Sequence, residues 1–431
     1  MLSRRASASA LKVALSWSQL QTHAASFVPT DPANGQTSAQ SRLRLFGKRE
    51  AEVRVTLFRD NHAWCPYCQK CWLFLEEKQI PYRTERVTMF CYGDKEPWYK
   101  RLVPSGMLPA LELDGRIITE SDVVLHSLEQ AFGPLGAPMA KITPHRQLER
   151  ELFRAWCAWL CYPDSTIHDQ RDFETTLARF EAELGAEPGP WILGGDAPSL
   201  ADLIFVPYVE RMSASLFYYK GFEMKDASIR PNLVRWFQAL EERPTYRGTQ
   251  SDYHTHCHDL PPQMGGCFAS DTAVQRQCAS LVDHGPWQSV PDTSLPEPPT
   301  ATVEALQRVC KHKDVLVQTN PCGGTAVVDE ALRCAMTRLA NGDAVTPPPG
   351  SDAALRYLRD RVNVPRDMSL WAARRLREAL EETAAMAGSG VGPPIPKDHR
   401  RDQDPRRFRL PPPPGDRQPS ACGDRWRAQR A

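Results

Sequence analysis

Apolar and polar positions change their period several times along the chain, and those changes divide it. From Val53, "VRVTLF" is β-branched and apolar like a strand, and "CQKCWLFLEEK" then takes helical spacing. "YRTERVTM" alternates, and "LPALEL" and "RIITE" read as two short strands around the turn residues Asp114 and Gly115. "SDVVLHSLEQAF" returns to the helical period. The order β-α-β, then β-β-α, predicts a small mixed sheet with helices.

"GPLGAP", residues 133–138, breaks the pattern as a linker does. Beyond it the spacing is helical in "HRQLERELFRAWCAWL", "FETTLARFEAEL", "SLADLIFVPYVERM" and "PNLVRWFQALEE". Ser199 with Asp202 three residues on has the form of a capping box, with Asp in place of the usual Glu. Turn formers crowd "RPTYRGTQSDYHTHCHDLPPQMGGC", a second boundary, and the Pro-rich "VPDTSLPEPPT" follows. From about residue 302 to 386 the chain is helical again, most clearly in "VVDEALRCAMTRLANG" and "SLWAARRLREALEE". No internal repeat of fixed period is visible.

The two ends read differently. The first thirty residues carry Arg4, Arg5 and Lys12 among Ser and Ala, with no acid before Asp31, as organellar transit peptides do. A plastid address is expected, with a cytoplasmic place as the alternative. The final segment mixes Pro runs with Arg and almost no periodic apolar residues, so disorder is expected from 391 to 431. Five segments result: 1–50 as transit peptide or disordered, 51–134 as the sheet domain, 139–250 as a helical domain, 251–390 as an extra helical region, and 391–431 as a tail.

Bulk composition mostly excludes. With 41% hydrophobic residues, 24% charged residues and a net charge of +1, nothing points to nucleic acid or a membrane surface. No apolar run reaches a spanning length, and the longest, "LADLIFVPYV", contains Asp202 and Pro207. Thirteen cysteines, about 3% of the chain, are too few for a disulfide-stapled scaffold. They read as thiols in a reducing compartment.

Three of them carry the candidate chemistry, in "HAWCPYCQKCWLFLEEKQIPY". A closed zinc site would need a second cysteine pair, and Cys91 stands alone. An iron–sulfur run would need a fourth cysteine soon after Cys71, where Trp72, Leu73, Phe74 and Leu75 follow. What remains is the C-x-x-C of a redox fold, a strand followed by a cysteine at a helix N-terminus. Free N–H groups and the positive end of the helix dipole favour a thiolate on Cys65. Pro66 suits the first turn, where its missing N–H costs nothing. Cys68, one turn on, can reach the sulfur of Cys65, whereas Cys71 reads as packing.

"WCPYCQKCWLFLEEKQIPY", "MLPALELDG", "ITESDVVLHSLEQ", "GGDAPSLADLIFVPYVERM" and "RPNLVRWFQALEERPTYRG" are together similar to the glutathione transferase superfamily, from about Val53 to Gly248. The Cys-Pro-Tyr-Cys centre resembles glutaredoxins and places the chain among cysteine-type members. "SDYHTHCHDLPPQMGGC" and "LRYLRDRVNVPRDMSLWAARRLREALEET" resemble the extra C-terminal region of the iota class of photosynthetic organisms. The fold so implied is α+β: a thioredoxin-like N-terminal domain, an all-α transferase C-terminal domain and an extra, mostly helical C-terminal region.

The resemblance implies residue roles. Cys65 is the nucleophile, and Cys68 its catalytic neighbour. Cys65, the backbone of Leu108 and a cis Pro109 hold the cysteinyl part of glutathione, while Glu120 and Ser121 hold its γ-glutamyl end, Ser121 also capping a helix. Lys95, Lys100 and Arg101 are candidates for the glycine carboxylate. Cys71 and Cys91 depart from the pattern and leave open which sulfur resolves Cys65. The implied activity is glutathione-dependent thiol transfer: deglutathionylation, or reduction of disulfides or dehydroascorbate. Glutathione is the co-substrate, and flavin mononucleotide (FMN) is a further cofactor the iota likeness implies. Expected partners are glutathionylated or disulfide substrates and a second copy of the chain, with no nucleic acid and no membrane. The alternative class is a ligand-binding or sensing protein that holds an iron–sulfur cluster or a flavin at the same site without turnover.

Two smaller motifs complete the reading. In "YHTHCHD", His254 and His256 would share one face of an extended chain, close to Cys257, His258 and Cys267. Clustered loop histidines are commonly plain hydrogen-bonding groups, and no metal is expected. The glycine pair of "NPCGGTAVVDEALRC" is read as a helix cap.

Overall fold

The computed structural model describes residues 13–408. A short helix α1 (Trp17–Ala24) and strand β1 (Leu43–Arg44) precede β2 (Val55–Asp60), α2 (Pro66–Glu77), β3 (Tyr82–Val87), α3 (Pro97–Leu102), β4 (Ala110–Leu113), β5 (Arg116–Thr119) and α4 (Ser121–Phe132). The five strands lie in the order β1-β3-β2-β4-β5. Strand β2 runs parallel to β3, with Val55 opposite Tyr82, and antiparallel to β4, with Val55 opposite Leu113. Asp114 (φ 51°) and Gly115 (φ 81°) make the tight turn between β4 and β5 with positive φ at both positions. The predicted mixed sheet is therefore present, with β1 as an added edge.

Helices follow in sequence: α5 (Thr143–Leu160), α6 (Ile167–Leu184), α7 (Leu200–Lys220), α8 (Pro231–Glu242), α9 (Pro244–Arg247), α10 (Tyr253–Asp259), α11 (Pro261–Met264) and α12 (Ala273–His284). Helix α7 is apolar on nearly all sides and is buried along almost its whole length, as such a helix must be. One hydrophobic core joins the sheet to these helices. A second core forms among α1, α13 (Ala301–Gln318), α14 (Thr325–Asn341), α15 (Asp352–Arg359) and α16 (Leu370–Ala387). Among the described residues no helix is long and apolar enough to cross a membrane.

The capping box of α7 is formed, and its carboxylate does more than cap. Asp202 accepts from Ser199 N (2.8 Å) and Ser199 Oγ (2.9 Å), and also from Ile192 N and Trp236 Nε1, each at 3.0 Å. Asp202→Ala leaves several buried donors without an acceptor. It is expected to destabilise the helical domain by about 3 kcal/mol, measurable by denaturant unfolding.

Both ends are more ordered than their composition predicts. Within 1–50, Leu20 and Ala24 of α1 are buried in the second core, and Arg44 of β1 is buried against Glu76, with Arg44 Nε donating at 2.8 Å. Within 391–431, Arg400 is buried; its N–H donates to Cys91 O (2.8 Å), and its Nη1 donates to Asp259 Oδ1 (2.6 Å). His62 Nε2 pairs with Gln403 O at 3.1 Å, and Arg361 Nε donates to Asp402 at 3.0 Å. These segments are held by partners far away in sequence, which local hydrophobic content does not register. Arg4, Arg5, Lys12 and residues 409–431 lie outside the described residues.

"YHTHCHD" also differs from its sequence reading. It is the helix α10, capped by Asp252, which accepts from Thr255 N at 2.9 Å, and it is largely buried. Helical spacing pairs His254 with His258 rather than with His256. His258 Nε2 lies 2.7 Å from Asp283 Oδ1, and the His254 and His258 rings are 4.6 Å apart. His256 faces elsewhere, with its Nε2 3.6 Å from Glu210 Oε1 and its ring 6.0 Å from that of Trp64.

Candidate active site

Strand β2 ends at Asp60, and the loop after it delivers Cys65 to the start of α2. The Asp60 carboxylate fixes this loop, accepting from Trp64 N at 2.8 Å and from Cys65 N at 3.1 Å. Cys65 is the N-cap of α2, with Pro66 as the first helical residue. Its sulfur accepts the N–H of Cys68 at 3.4 Å, the bond that an N-cap side chain makes.

The two thiols differ. Burial first, and then donation to the Cys65 sulfur, push the Cys68 thiol well above the ordinary range. Cys71 is fully buried, donates to Ser121 O at 3.7 Å, and is pushed up to about 12 by burial. Cys91 is also buried and raised by burial. Of the sulfurs the sequence left open, Cys68 is the one in contact with Cys65.

Beside the start of α2 lies a groove of about 270 Å³, lined by Tyr67, Lys70, Leu108, Pro109, Glu120 and Ser121, among others. The Leu108–Pro109 peptide is cis. Glu120 sits at the β5–α4 junction with φ 66°, outside the usual regions for a residue with a side chain. Glu120, and not Ser121, holds the N-cap position of α4, and no side chain caps that helix. Ser121 is the first helical residue and lines the groove instead. The fold thus brings Leu108, Pro109, Glu120 and Ser121 into one wall, whereas Cys65 and Cys68 are buried at the helix start and do not line the groove.

The charges of this groove come mostly from residues the sequence reading did not select. Lys70 Nζ lies 3.3 Å from Asp122 Oδ1, Arg146 pairs with the same carboxylate, and Arg150 pairs with Glu149. Burial alone would raise Asp122, but Lys70 and Arg146 outweigh it and hold the carboxyl below its ordinary value. Arg146, Glu149 and Arg150 lie on α5, and no short motif links them to the cysteines. Of the three cations nominated for the glycine carboxylate, Lys100 and Arg101 are exposed on α3 and do not line the groove. Lys95 is half-buried, donates to Thr88 O at 3.2 Å, and is lowered by burial, which outweighs the opposing pull of Cys68 and Cys65.

Two further residues support the cysteine loop from behind. Asp60 places a carboxylate oxygen within 4.8 Å of the Cys65 and Cys68 sulfurs. Arg211, buried on α7, donates to Trp64 O, lies 4.4 Å over the Trp64 ring, and pairs with Glu210 at 3.1 Å. An acid closing the strand before a C-x-x-C is a signal legible in sequence. Arg211, some 150 residues away, gives none.

Residues 64–131 match the family model "Glutathione S-transferase, N-terminal domain", and residues 147–239 match "Glutathione S-transferase, C-terminal domain". Residues 64–131 and 147–239 thus carry the two domains of a glutathione S-transferase, together less than half of the chain. It is similar to Glutathione S-transferase DHAR2 of Arabidopsis thaliana, 26% identical over 190 residues, covering 43% of this chain and 84% of that protein. Glutathione S-transferase DHAR3, chloroplastic, of the same plant is 26% identical, covering 44% of this chain and 69% of its own. Among solved structures, Chlamydomonas reinhardtii dehydroascorbate reductase aligns with a TM-score of 0.39 and 20% identity, covering 46% of this chain and 93% of that one. The family models end at residue 239, so neither reaches the region from 251 to 390.

Proposed function

We propose that this transferase-superfamily protein is a glutathione-dependent thiol–disulfide oxidoreductase acting through a mixed disulfide at Cys65. The observation that carries the reading is the Cys65 sulfur at the cap of α2, taking the Cys68 N–H at 3.4 Å beside the groove of Leu108, Pro109, Glu120 and Ser121. Relatives named Glutathione S-transferase DHAR2 and DHAR3 support it. A plastid location belongs to the same proposal and is supported by the chloroplastic name of one relative.

The thiolate of Cys65 attacks the glutathione sulfur of a glutathionylated substrate. One sulfur–sulfur bond forms, the old one breaks, and the substrate thiolate leaves to take a proton. A second glutathione thiolate then attacks the Cys65 mixed disulfide, releasing glutathione disulfide and restoring Cys65. Because Cys68 is held as a thiol, it donates to Cys65 rather than competing with the second glutathione. Disulfides are proposed for the same cycle. Dehydroascorbate, which has no sulfur–sulfur bond, is proposed to add the Cys65 thiolate at a carbonyl carbon; a glutathione thiolate then attacks the Cys65 sulfur, the carbon–sulfur bond breaks with its electron pair leaving on ascorbate, and the mixed disulfide so formed is released by a second glutathione. No step uses a flavin.

Glu120 and Ser121 are proposed to receive the γ-glutamyl end. Glu120→Gln is expected to raise KM for glutathione about tenfold, roughly 1.4 kcal/mol, with kcat little changed. Steady-state kinetics against glutathione concentration checks this, and an unchanged KM would remove Glu120 from the site.

Asp122 adds a pH dependence with a defined sign. Its carboxyl lies below its ordinary value in the folded protein, so its contribution is fully present above the unfolded value near 4 and is lost as pH falls through the folded value. The difference in glutathione KM between wild type and Asp122→Asn should therefore be constant from pH 7 to 5. A difference already shrinking at pH 6 would contradict the assignment.

One observation favours the alternative of a sensing protein. Asp60, Cys65 and Cys68 offer three ligand atoms within 4.8 Å of one another. Visible absorbance of freshly purified protein separates the two: a colourless active protein supports turnover, and a cluster or flavin spectrum supports sensing.

A further inference from the structure

Three other sulfurs meet well away from the groove. Cys157, near the C-terminal end of α5, and Cys161, its C-cap, stand one turn apart, about 10 and 16 Å along the helix from Arg150 at the groove. Cys267 comes to them from the loop after α11. That loop is pinned by backbone bonds: Phe268 N–H donates to Leu160 O at 3.0 Å, and Ser270 N–H donates to Tyr219 O at 2.9 Å. Gly265 (φ 81°) and Gly266 (φ 143°) make the bend that leads into it. All three cysteines are partly exposed, unlike the buried Cys71, Cys91 and Cys257.

The trio has a centre. Cys161 lies between the other two, and hydrogen bonding among the sulfurs raises the Cys157 and Cys267 thiols and holds Cys161 below the ordinary thiol range. Lys220, at the end of α7, adds positive charge felt by Cys161 and Cys267, and its Nζ donates to Ser165 Oγ at 3.2 Å. A low-lying, accessible thiol with a neighbouring thiol is the arrangement of an oxidation-sensitive cysteine and its resolving partner.

We propose that Cys161 and Cys267 form a second redox site, in which a hydroperoxide oxidises Cys161 and Cys267 closes it to a disulfide. In the first step the Cys161 thiolate attacks the peroxide. A sulfur–oxygen bond forms, the oxygen–oxygen bond breaks, and the leaving oxygen takes a proton to depart as water or an alcohol. In the second step the Cys267 sulfur attacks the Cys161 sulfur. The sulfur–sulfur bond forms, the sulfur–oxygen bond breaks, and hydroxide leaves as water with the Cys267 proton. Two electrons pass from the thiol pair to the peroxide.

Geometry selects Cys267 over Cys157. Cys161 is the C-cap of α5 and its N–H still donates to Cys157 O at 2.9 Å, so the two keep helical spacing, with Cβ atoms about 5–6 Å apart, whereas a disulfide requires about 3.5–4.5 Å. Cys267 sits on a loop and can close the shorter distance without unwinding α5. The product ties the segment after α11 covalently to the transferase helices.

The experiment uses the full chain with Cys65→Ser and Cys68→Ser, so that the proposed active site is silent and its failure is distinguishable from failure here. Protein is treated with hydrogen peroxide, alkylated, digested and examined by mass spectrometry. Cys161 should lose alkylation at least about tenfold faster than Cys278, which is also partly exposed. A peptide joining Cys161 to Cys267 should appear, vanish in Cys161→Ser and in Cys267→Ser, and persist in Cys157→Ser. Equal rates at Cys161 and Cys278, or a Cys157–Cys161 product in its place, would overturn the proposal. The rate comparison needs no substitution in the trio and holds whether or not those variants fold.

Discussion

Cys65→Ser should lower glutathione-dependent reduction of a glutathionylated peptide by at least about 10³-fold, while Cys68→Ser should keep it within about tenfold of wild type. The asymmetry follows from the positions of the two sulfurs. Cys65 caps α2 and accepts the Cys68 N–H, and its sulfur is the atom that must form the mixed disulfide. A serine hydroxyl there still caps the helix but is a poor nucleophile toward sulfur, so fold survives and turnover does not. Cys68 is raised by burial and by its donation to Cys65, so it supplies a hydrogen bond rather than a thiolate. A serine at position 68 keeps a donor. Equal losses in the two variants would show an obligatory dithiol route and refute the second-glutathione step.

The largest expected stability effect lies elsewhere, at Arg377. Arg377 of α16 is fully buried, pairs through Nη1 with Asp252, and donates through Nη2 to Val362 O at 2.8 Å. Asp252 in turn caps α10, whose His256 lies against Trp64 of the cysteine loop. Arg377→Met fills much of the space but leaves the Asp252 charge buried and the Val362 carbonyl without its partner. The expected cost is about 3–5 kcal/mol, seen as an earlier unfolding transition in denaturant. Restoring neutrality with Asp252→Asn should recover part of that loss, and the double-mutant cycle measures how much. A loss below about 1 kcal/mol would show that α16 is not docked on α10 through this pair.

These two predictions also mark what the sequence could reveal. The strands, the main helices, the Ser199–Asp202 cap, Cys65 at a helix start and Pro109 beside it were all legible because each is set by neighbours a few residues away. The α10 helix was not: "YHTHCHD" has no apolar stripe of helical period, and its helical state is imposed by burial between the two cores. Arg377, Arg400 and Arg211 were equally invisible, since a buried arginine is defined by a carboxylate or carbonyl distant in the chain. For the same reason residues 391–408, judged by composition alone, looked unable to order, yet Arg400 finds Asp259 and the Cys91 carbonyl. The groove's cations failed similarly. Lys100 and Arg101 are close to the cysteines in sequence, but Arg146 and Arg150 are the ones that α5 brings to the wall.

Trapping the intermediate shows which sulfur carries glutathione. Wild-type protein and the Cys68→Ser variant are incubated with glutathione disulfide, acid-quenched and mapped by mass spectrometry. One glutathione per chain is expected in Cys68→Ser, joined to Cys65 and released by added glutathione. No adduct on Cys65, or an adduct there that added glutathione does not discharge, would contradict it.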